Sequence, residues 1–185
     1  RHLDYGVIAS IRDLHAQIQA EAEKRSSGHQ GRSRDIKLGR GGIREIEFLA
    51  QMFQLMRGGT DPRFRVRPSL EVLELIKHCN ILPTHEVESL QAAYIFLRRL
   101  EHRIQAWDDQ QTHYLPDEES ARARLAISML GQDAQIDDLM SELERHQNHV
   151  AHLFEKAFLL DDGARLEIAP LAIGWVPDQA FFPSS

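Results

Sequence analysis

The longest helical pattern in the chain covers residues 84 to about 108, and it limits the class of fold. Apolar side chains recur there at steps of three and four residues, which places them along one side of a helix. They are Val87, Leu90, Tyr94, Leu97 and Ile104, followed by Trp107 or Asp108. The chain shows no strand-like alternation of useful length. This stripe is therefore predicted to pack against other helices.

Five further helices are predicted from the same periodicity and from the residues that interrupt it. They cover residues 4–25, 43–57, 69–79, 117–130 and 134–160, with Ser69 as an N-cap. Residues 161–185 contain three Pro and show no periodicity. We predict an all-α bundle of five or six helices with irregular loops, in which residues 1–160 form a helical domain and residues 161–185 a tail or linker.

Length and composition favour a soluble cytoplasmic protein. The 185 residues suit one domain, and a single cysteine, Cys79, excludes an internal disulfide and fits a reducing compartment. The absence of a long apolar run argues against a membrane partner, and the net charge of −6 argues against nucleic acid. The chain does not begin with Met. We therefore expect it to be part of a longer protein.

Signatures of catalysis are scarce in this sequence. Neither GxGxxG nor the phosphate-binding GxxxxGK[ST] pattern is present, and no Asp-x-Asp follows a Gly-Ser turn. His146, His149 and His152 recur every three residues on the last predicted helix. Because charged residues surround them, we interpret them as solvated side chains rather than metal ligands. No catalytic residue and no metal site are predicted.

One stretch nevertheless combines glycine, basic and acidic residues where a predicted apolar helix begins. It reads "DIKLGRGGIREIEF", residues 35–48, and we call residues 37–47 the corner. Glycines before a helix N-terminus can expose amides to an anion, and nearby cations would add to its binding. The alternative is that the glycines only allow a tight turn and close helix packing. The candidate interface or anion-binding residues are Lys37, Gly39, Arg40, Gly41, Gly42, Arg44, Glu45 and Glu47.

The helix that follows the corner carries a narrow polar stripe on an otherwise apolar surface. The stripe consists of Arg44, Glu47, Gln51 and Gln54. A helix with so much apolar surface is expected at the centre of the bundle, with the stripe facing a cleft or paired internally.

Glu101 presents a related problem, because it falls on the buried stripe of the long helix. A buried carboxylate needs a cation. Arg44 is our first choice, since a guanidinium binds a carboxylate with two hydrogen bonds. Arg98 or Arg103 is the local alternative.

Two segments resemble a known family. "DIKLGRGGIREIEFLAQMFQLMRGG" and "AYIFLRRLEHRIQAWDDQQTHYLP" are similar to the bifunctional glutamine synthetase adenylyltransferase/adenylyl-removing enzymes. The opening "RHLDYGVIASIRDLHAQI" is similar to the stretch that leaves the first nucleotidyltransferase domain of those enzymes. The resemblance covers residues 1–160. A related glycine-arginine motif occurs in PII uridylyltransferases, so the motif belongs to a wider set of regulatory nucleotidyltransferases.

The resemblance implies a function that composition does not. These enzymes have two nucleotidyltransferase halves, each followed by a helical domain. One half transfers AMP from ATP, with magnesium, to a tyrosine of glutamine synthetase. The other removes it by phosphorolysis and releases ADP, while glutamine and the PII signal protein set the balance. Arg44 and "RRLEHR" fit the helical domain of the N-terminal, adenylyl-removing half.

The family's metal-binding Gly-Ser and Asp-x-Asp motif is not found in this chain. The resemblance therefore implies an accessory or regulatory domain that is inactive alone and holds no cofactor. Its expected partners are the adjacent nucleotidyltransferase domain, glutamine synthetase and PII, with magnesium and ATP or ADP needed by the full enzyme. The alternative is a ligand-sensing or PII-binding module without a catalytic role.

Overall fold

The computed structural model describes residues 35–108 and 112–159. This part of the chain is all-α, as predicted. It contains no strand, and a single β-bridge joins Asp35 to Tyr114. The helices are α1 (Ile43–Arg57), α2 (Ser69–His78), α3 (Thr84–Asp108), α4 (Glu119–Leu130) and α5 (Ile136–Leu159), with a short 3-10 helix at Pro62–Arg65. The helix predicted over residues 4–25 and the tail 161–185 lie outside the described residues.

Helix α1 lies at the centre of the bundle, as its composition indicated. It packs against α2, α3 and α5. Ile43, Ile46, Leu49, Met52 and Phe53 are each at most 2% exposed. Its apolar character is not uniform, because Leu55 is 60% exposed. The buried face of α1 therefore ends about one turn before the helix does.

Helix α3 forms the second wall of the core and packs against α2, α4 and α5. Most of the predicted stripe is buried: Val87, Leu90 and Leu97 are fully enclosed and Ile104 nearly so, whereas Tyr94 is half-buried. The side chains predicted to end the stripe, Trp107 or Asp108, lie outside what the structure describes. Glu101 lies on the same stripe and is 2% exposed. None of the helices in the described ranges is long and apolar enough to cross a membrane.

The connection from α1 to α2 shows how polar groups fix a loop. Gly58 ends α1 by donating its amide to the carbonyl of Gln54 at 2.7 Å. The side-chain amide of Gln54 donates to the carbonyls of Phe64, at 3.2 Å, and Val66. Gln54, from the polar stripe, thus pairs internally. The N-cap of α2 is Pro68 rather than the predicted Ser69, which is the first helical residue.

Candidate functional site

The turn that precedes α1 is anchored by Asp35, which is 5% exposed. Its Oδ1 accepts hydrogen bonds from the amides of Lys37, at 3.0 Å, and Leu38, at 2.8 Å. The amide of Ile36 donates to the carbonyl of His113 at 3.1 Å. The last of these bonds joins the residue just before the corner to the segment that follows α3, which lies far away in the sequence.

Two glycines of the corner are required by the geometry. Gly41 has a φ of +70°, and a Cβ placed there would lie 2.0 Å from the carbonyl oxygen of Gln147 in α5. A Cβ at Gly42 would lie 2.6 Å from the carbonyl oxygen of Lys37. A side chain at either position would collide with backbone, which cannot move aside cheaply. The glycines therefore allow a tight turn and a close approach between that turn and α5.

The backbone amides at the start of α1 already donate hydrogen bonds within the chain. Those of Ile43 and Arg44 donate to the carbonyls of Ile36 and Lys37 at 3.2 and 3.0 Å. The amide of Gly41 donates to Oε2 of Glu45 at 3.0 Å. The open backbone donors that the glycine pattern suggested are thus already bonded. An anion at this corner would have to be bound by side chains.

Glu45 is a buried acid, 4% exposed, directly beneath the turn. Its burial raises its pKa to about 7, although the amide of Gly41 and the charge of Arg40 oppose the rise. Arg40 is 60% exposed in its side chain and donates to Glu155 of α5 through Nε, at 3.2 Å, and Nη2, at 2.9 Å. The turn is thus held against α5 by steric fit and by an exposed ion pair, while Glu45 ties it to the first turn of α1.

A second set of charges joins the corner to α3, and we call it the ion-pair network. Lys37 and Arg98 both bind Glu101, through Nζ at 3.0 Å and Nη1 at 2.7 Å. Arg98 also binds Glu47 at 2.6 Å, and Arg44 lies 3.4 Å from the other oxygen of Glu47. Glu101 therefore has the cations that its burial requires, but they are Lys37 and Arg98. Arg44, our first choice, contacts Glu47 instead.

Arg98 is the hub of this network. Its Nε donates to the hydroxyl of Tyr94 at 3.2 Å, and its guanidinium lies 5.3 Å from the centre of that ring. Partial burial opposes ionisation of Arg98, but its hydrogen bonds to Tyr94 and Glu101 raise its pKa above the ordinary value. Burial would likewise raise the pKa of Glu101, but hydrogen bonds from Arg98 and Lys37 hold it below the ordinary value. Both groups are therefore charged at neutral pH.

The three histidines of α5 are not equivalent. His152 is exposed and His149 half-buried, but His146 is 4% exposed, so our interpretation of it as solvated is wrong. Its ring packs on Phe96 at 4.7 Å, and its Nε2 lies 3.2 Å from Glu142. Burial lowers its pKa below the ordinary value. Among the described residues, no three His, Cys, Asp or Glu side chains are placed to hold a metal ion.

Sequence reasoning missed several residues of the corner's surroundings. His113 and Glu155 contact the turn, yet neither belongs to the glycine-arginine motif, and Asp35 belongs to it but was not among the candidate residues. His113 and Glu155 lie on segments remote in sequence, and no local pattern marks either of them. The spacing within "RRLEHR" did place Arg98 one helical turn before Glu101, which made it the local alternative.

Taken together, the described residues form an all-α module whose charged corner is joined to α3 by ion pairs and to α5 by close packing. A family model described as GlnD PII-uridylyltransferase matches residues 12–158. This match covers most of the chain, so the chain belongs to the GlnD PII-uridylyltransferase family.

Named relatives agree with the resemblance seen in the sequence. A protein of Ralstonia nicotianae is 52% identical over 169 residues, covering 85% of this chain and 18% of the relative. One from Burkholderia mallei is 46% identical over 90% of this chain and 18% of its own length. One from Thioalkalivibrio sulfidiphilus is 44% identical over 91% of this chain and 17% of its own length. Each is named bifunctional glutamine synthetase adenylyltransferase/adenylyl-removing enzyme. The chain thus spans less than a fifth of the length of these relatives.

Proposed function

We propose that this chain is a helical accessory domain of an enzyme that adenylylates and deadenylylates glutamine synthetase. The observation that carries the proposal is the 52% identity to a relative of that name, over 85% of this chain. The same alignment covers 18% of the relative, which leaves most of that protein's length for other domains. The reactions are AMP transfer to a tyrosine and its removal by phosphorolysis, and they take place in the cytoplasm.

In this proposal the catalytic carboxylates, magnesium and ATP or ADP belong to an adjacent nucleotidyltransferase domain. The corner is the part of this chain that meets that domain. Two observations support this placement of the corner. Gly41 packs closely on α5, which fixes the turn, and the side chains of Arg40 and Arg44 are 60% and 46% exposed. A rigid surface with exposed arginines suits a polar interface between domains. The resemblance of Arg44 and "RRLEHR" to the helical domain of the N-terminal half favours the adenylyl-removing half.

The first test is an assay of the purified 185-residue chain with adenylylated glutamine synthetase, phosphate and magnesium. We expect no AMP or ADP to be released, whereas the full enzyme under the same conditions releases ADP. Turnover that stays with the chain through successive purification steps would place the chemistry in this domain and overturn the proposal.

The second test is the size of the native protein in host extract, detected with an antibody against this chain. We expect a band several times larger than 21.2 kDa. A band of only that size would indicate a free-standing helical protein and remove the proposed catalytic neighbour.

A second candidate function is a module that senses a ligand or binds PII without a catalytic role. The weak contact of exposed Arg44, 3.4 Å from Glu47, favours it. Calorimetry with glutamine and with purified PII distinguishes the two. Saturable binding of either, combined with normal phosphorolysis by a full enzyme that carries Arg44→Ala, would favour the sensing module.

A further inference from the structure

Arg44 is the least constrained cation of the ion-pair network. Its Nη1 lies 3.4 Å from Glu47, whereas the other three pairs in the network are 2.6 to 3.0 Å apart. Its side chain is 46% exposed, against 35% for Lys37 and 31% for Arg98. Arginine has five N–H donors, and one of them makes the contact with Glu47. Arg44 therefore retains most of its capacity to bind an acceptor from outside the domain.

The charges of the network do not cancel. Lys37, Arg44 and Arg98 supply three positive charges, and Glu47 and Glu101 supply two negative ones. The excess of one positive charge lies on the exposed side, because Glu101 is 3% exposed in its side chain and Glu47 is 17% exposed. An anion that approaches this surface meets the arginines before it meets either carboxylate.

The rest of the network is already ordered around Arg44. Arg98 is fixed by Tyr94, Glu101 and Glu47, and Lys37 is fixed by Glu101. Glu47 in turn orients Arg44 through its second oxygen. A ligand would thus have to order only the side chain of Arg44, because the charges around it are already in place, and this favours affinity.

Arg44 is also the second residue of α1. The positive end of the helix dipole lies there and favours an anion, although the first-turn amides are bonded within the chain. We infer that Arg44 binds a phosphate group at the interface between this domain and its catalytic neighbour. The choice of phosphate rests on the proposed function, because the relatives' names describe transfer and removal of an adenylyl group. The phosphate is that of a nucleotide or free inorganic phosphate.

The test is titration of the 185-residue chain at low ionic strength with inorganic phosphate, AMP and ADP, followed by NMR chemical shifts. We expect saturable binding that Arg44→Gln weakens about tenfold or more, as the loss of a charge-assisted hydrogen bond predicts. Equal affinity for inorganic phosphate and ADP would identify free phosphate as the ligand. Tighter binding of ADP and AMP would identify a nucleotide.

Arg63→Gln is the matched control. The side chain of Arg63 is 60% exposed, so it is accessible to solvent as the arginines of the corner are. It forms an ion pair with Asp61 at 2.8 Å, outside the network. We expect this variant to bind all three ligands like the unaltered chain. Arg44→Lys keeps the charge and loses the planar fork, so its affinity should be intermediate. Unchanged urea midpoints for both Arg44 variants verify that they are folded.

Failure to saturate with any of the three ligands, or equal binding by Arg44→Gln and the unaltered chain, would overturn this inference. The proposed function would survive that result if the isolated chain remains inactive and the native protein is several times larger than the chain. The two conclusions can therefore fail separately.

Discussion

Glu45 and Glu101 are both almost completely buried, at 4% and 2% exposure, yet they differ in charge. Burial raises the pKa of Glu45 to about 7, because the amide of Gly41 and the charge of Arg40 only partly offset it. Burial acts in the same direction on Glu101, but hydrogen bonds from Arg98 and Lys37 outweigh it and lower the pKa. The comparison shows that burial alone does not set the charge of an acid. Charged hydrogen-bond donors such as Arg98 and Lys37 can outweigh it.

The two glutamates also mark two ways of fixing one turn. On the side that faces α5, the turn fits closely at Gly41, and the amide of Gly41 is bonded by Glu45, whose neutral form is favoured by burial. On the α3 side, it is held by charges that are paired and ionised. We therefore expect the first attachment to be weakened by a larger side chain or by high pH. The second should be weakened by removal of a charge or by low pH.

The largest effect is expected from Gly41→Ala, which breaks the steric attachment. The new Cβ would lie 2.0 Å from the carbonyl oxygen of Gln147, at a φ of +70°. Overpacking and the left-handed backbone together should lower the free energy of unfolding by about 3 kcal/mol or more. Urea denaturation measures this decrease in the free energy of unfolding.

Gly59→Ala is the control, since no atom lies within 4 Å of the Cβ it would introduce. If Gly41→Ala were no less stable than Gly59→Ala, the turn would not pack on α5 as described.

A smaller loss is expected from Glu101→Gln, which removes the shared carboxylate of the ion-pair network. Lys37 would lose its charged partner, and Arg98 would keep only Glu47. The two side chains are 35% and 31% exposed, so water can hydrate them instead. We therefore expect a loss of about 2 kcal/mol, less than for a fully buried pair.

Glu88→Gln, on the same helix, removes an acid that is 59% exposed and 4.0 Å from Lys77. It should change the free energy of unfolding by less than about 0.5 kcal/mol. Similar losses in the two variants would mean that the network contributes nothing beyond an exposed pair.

The smallest effect is expected from Glu45→Gln, which should change how the free energy of unfolding depends on pH. The folded state keeps a proton on Glu45 that the unfolded chain loses above pH 4.5, so Glu45 lowers stability as the pH rises from 4.5 to about 7. Glutamine can still accept from Gly41 and carries no charge. The variant should therefore gain about 1–2 kcal/mol relative to the unaltered chain between pH 5 and pH 8.

Glu101→Gln provides the opposite pattern for this test. Because the folded pKa of Glu101 is lowered, its stabilising contribution is present above pH 4.5 and is lost as the pH falls below that value. The stability gap between Glu101→Gln and the unaltered chain should thus narrow in acid. Parallel pH profiles for Glu45→Gln and the unaltered chain would show that Glu45 is charged in both states.

The periodicity of apolar residues was sufficient to predict most of the helices. The predicted limits of α1 and α3 coincide with the observed ones, because Gly58 and Pro83 interrupt the backbone pattern just outside them. The buried position of Glu101 was also predictable, since it follows from helical register alone.

Partners in space were harder to predict than positions in a helix. The buried stripe showed that Glu101 needs a cation, but Lys37 reaches it from a turn whose path depends on contacts with His113 and α5. The same contacts occupy the amides at the start of α1. The solvated interpretation of His146 failed because its neighbour Phe96 comes from another helix.

Two ion pairs join the corner to distant parts of the chain. Lys37 meets Glu101 across 64 positions, and Arg40 meets Glu155 across 115. Closing loops of that length costs entropy, so we expect these two contacts to form late in folding. A partner that docks on the corner therefore meets the arginines in their native arrangement only after α1, α3 and α5 have assembled, and docking itself becomes a check on the integrity of the domain.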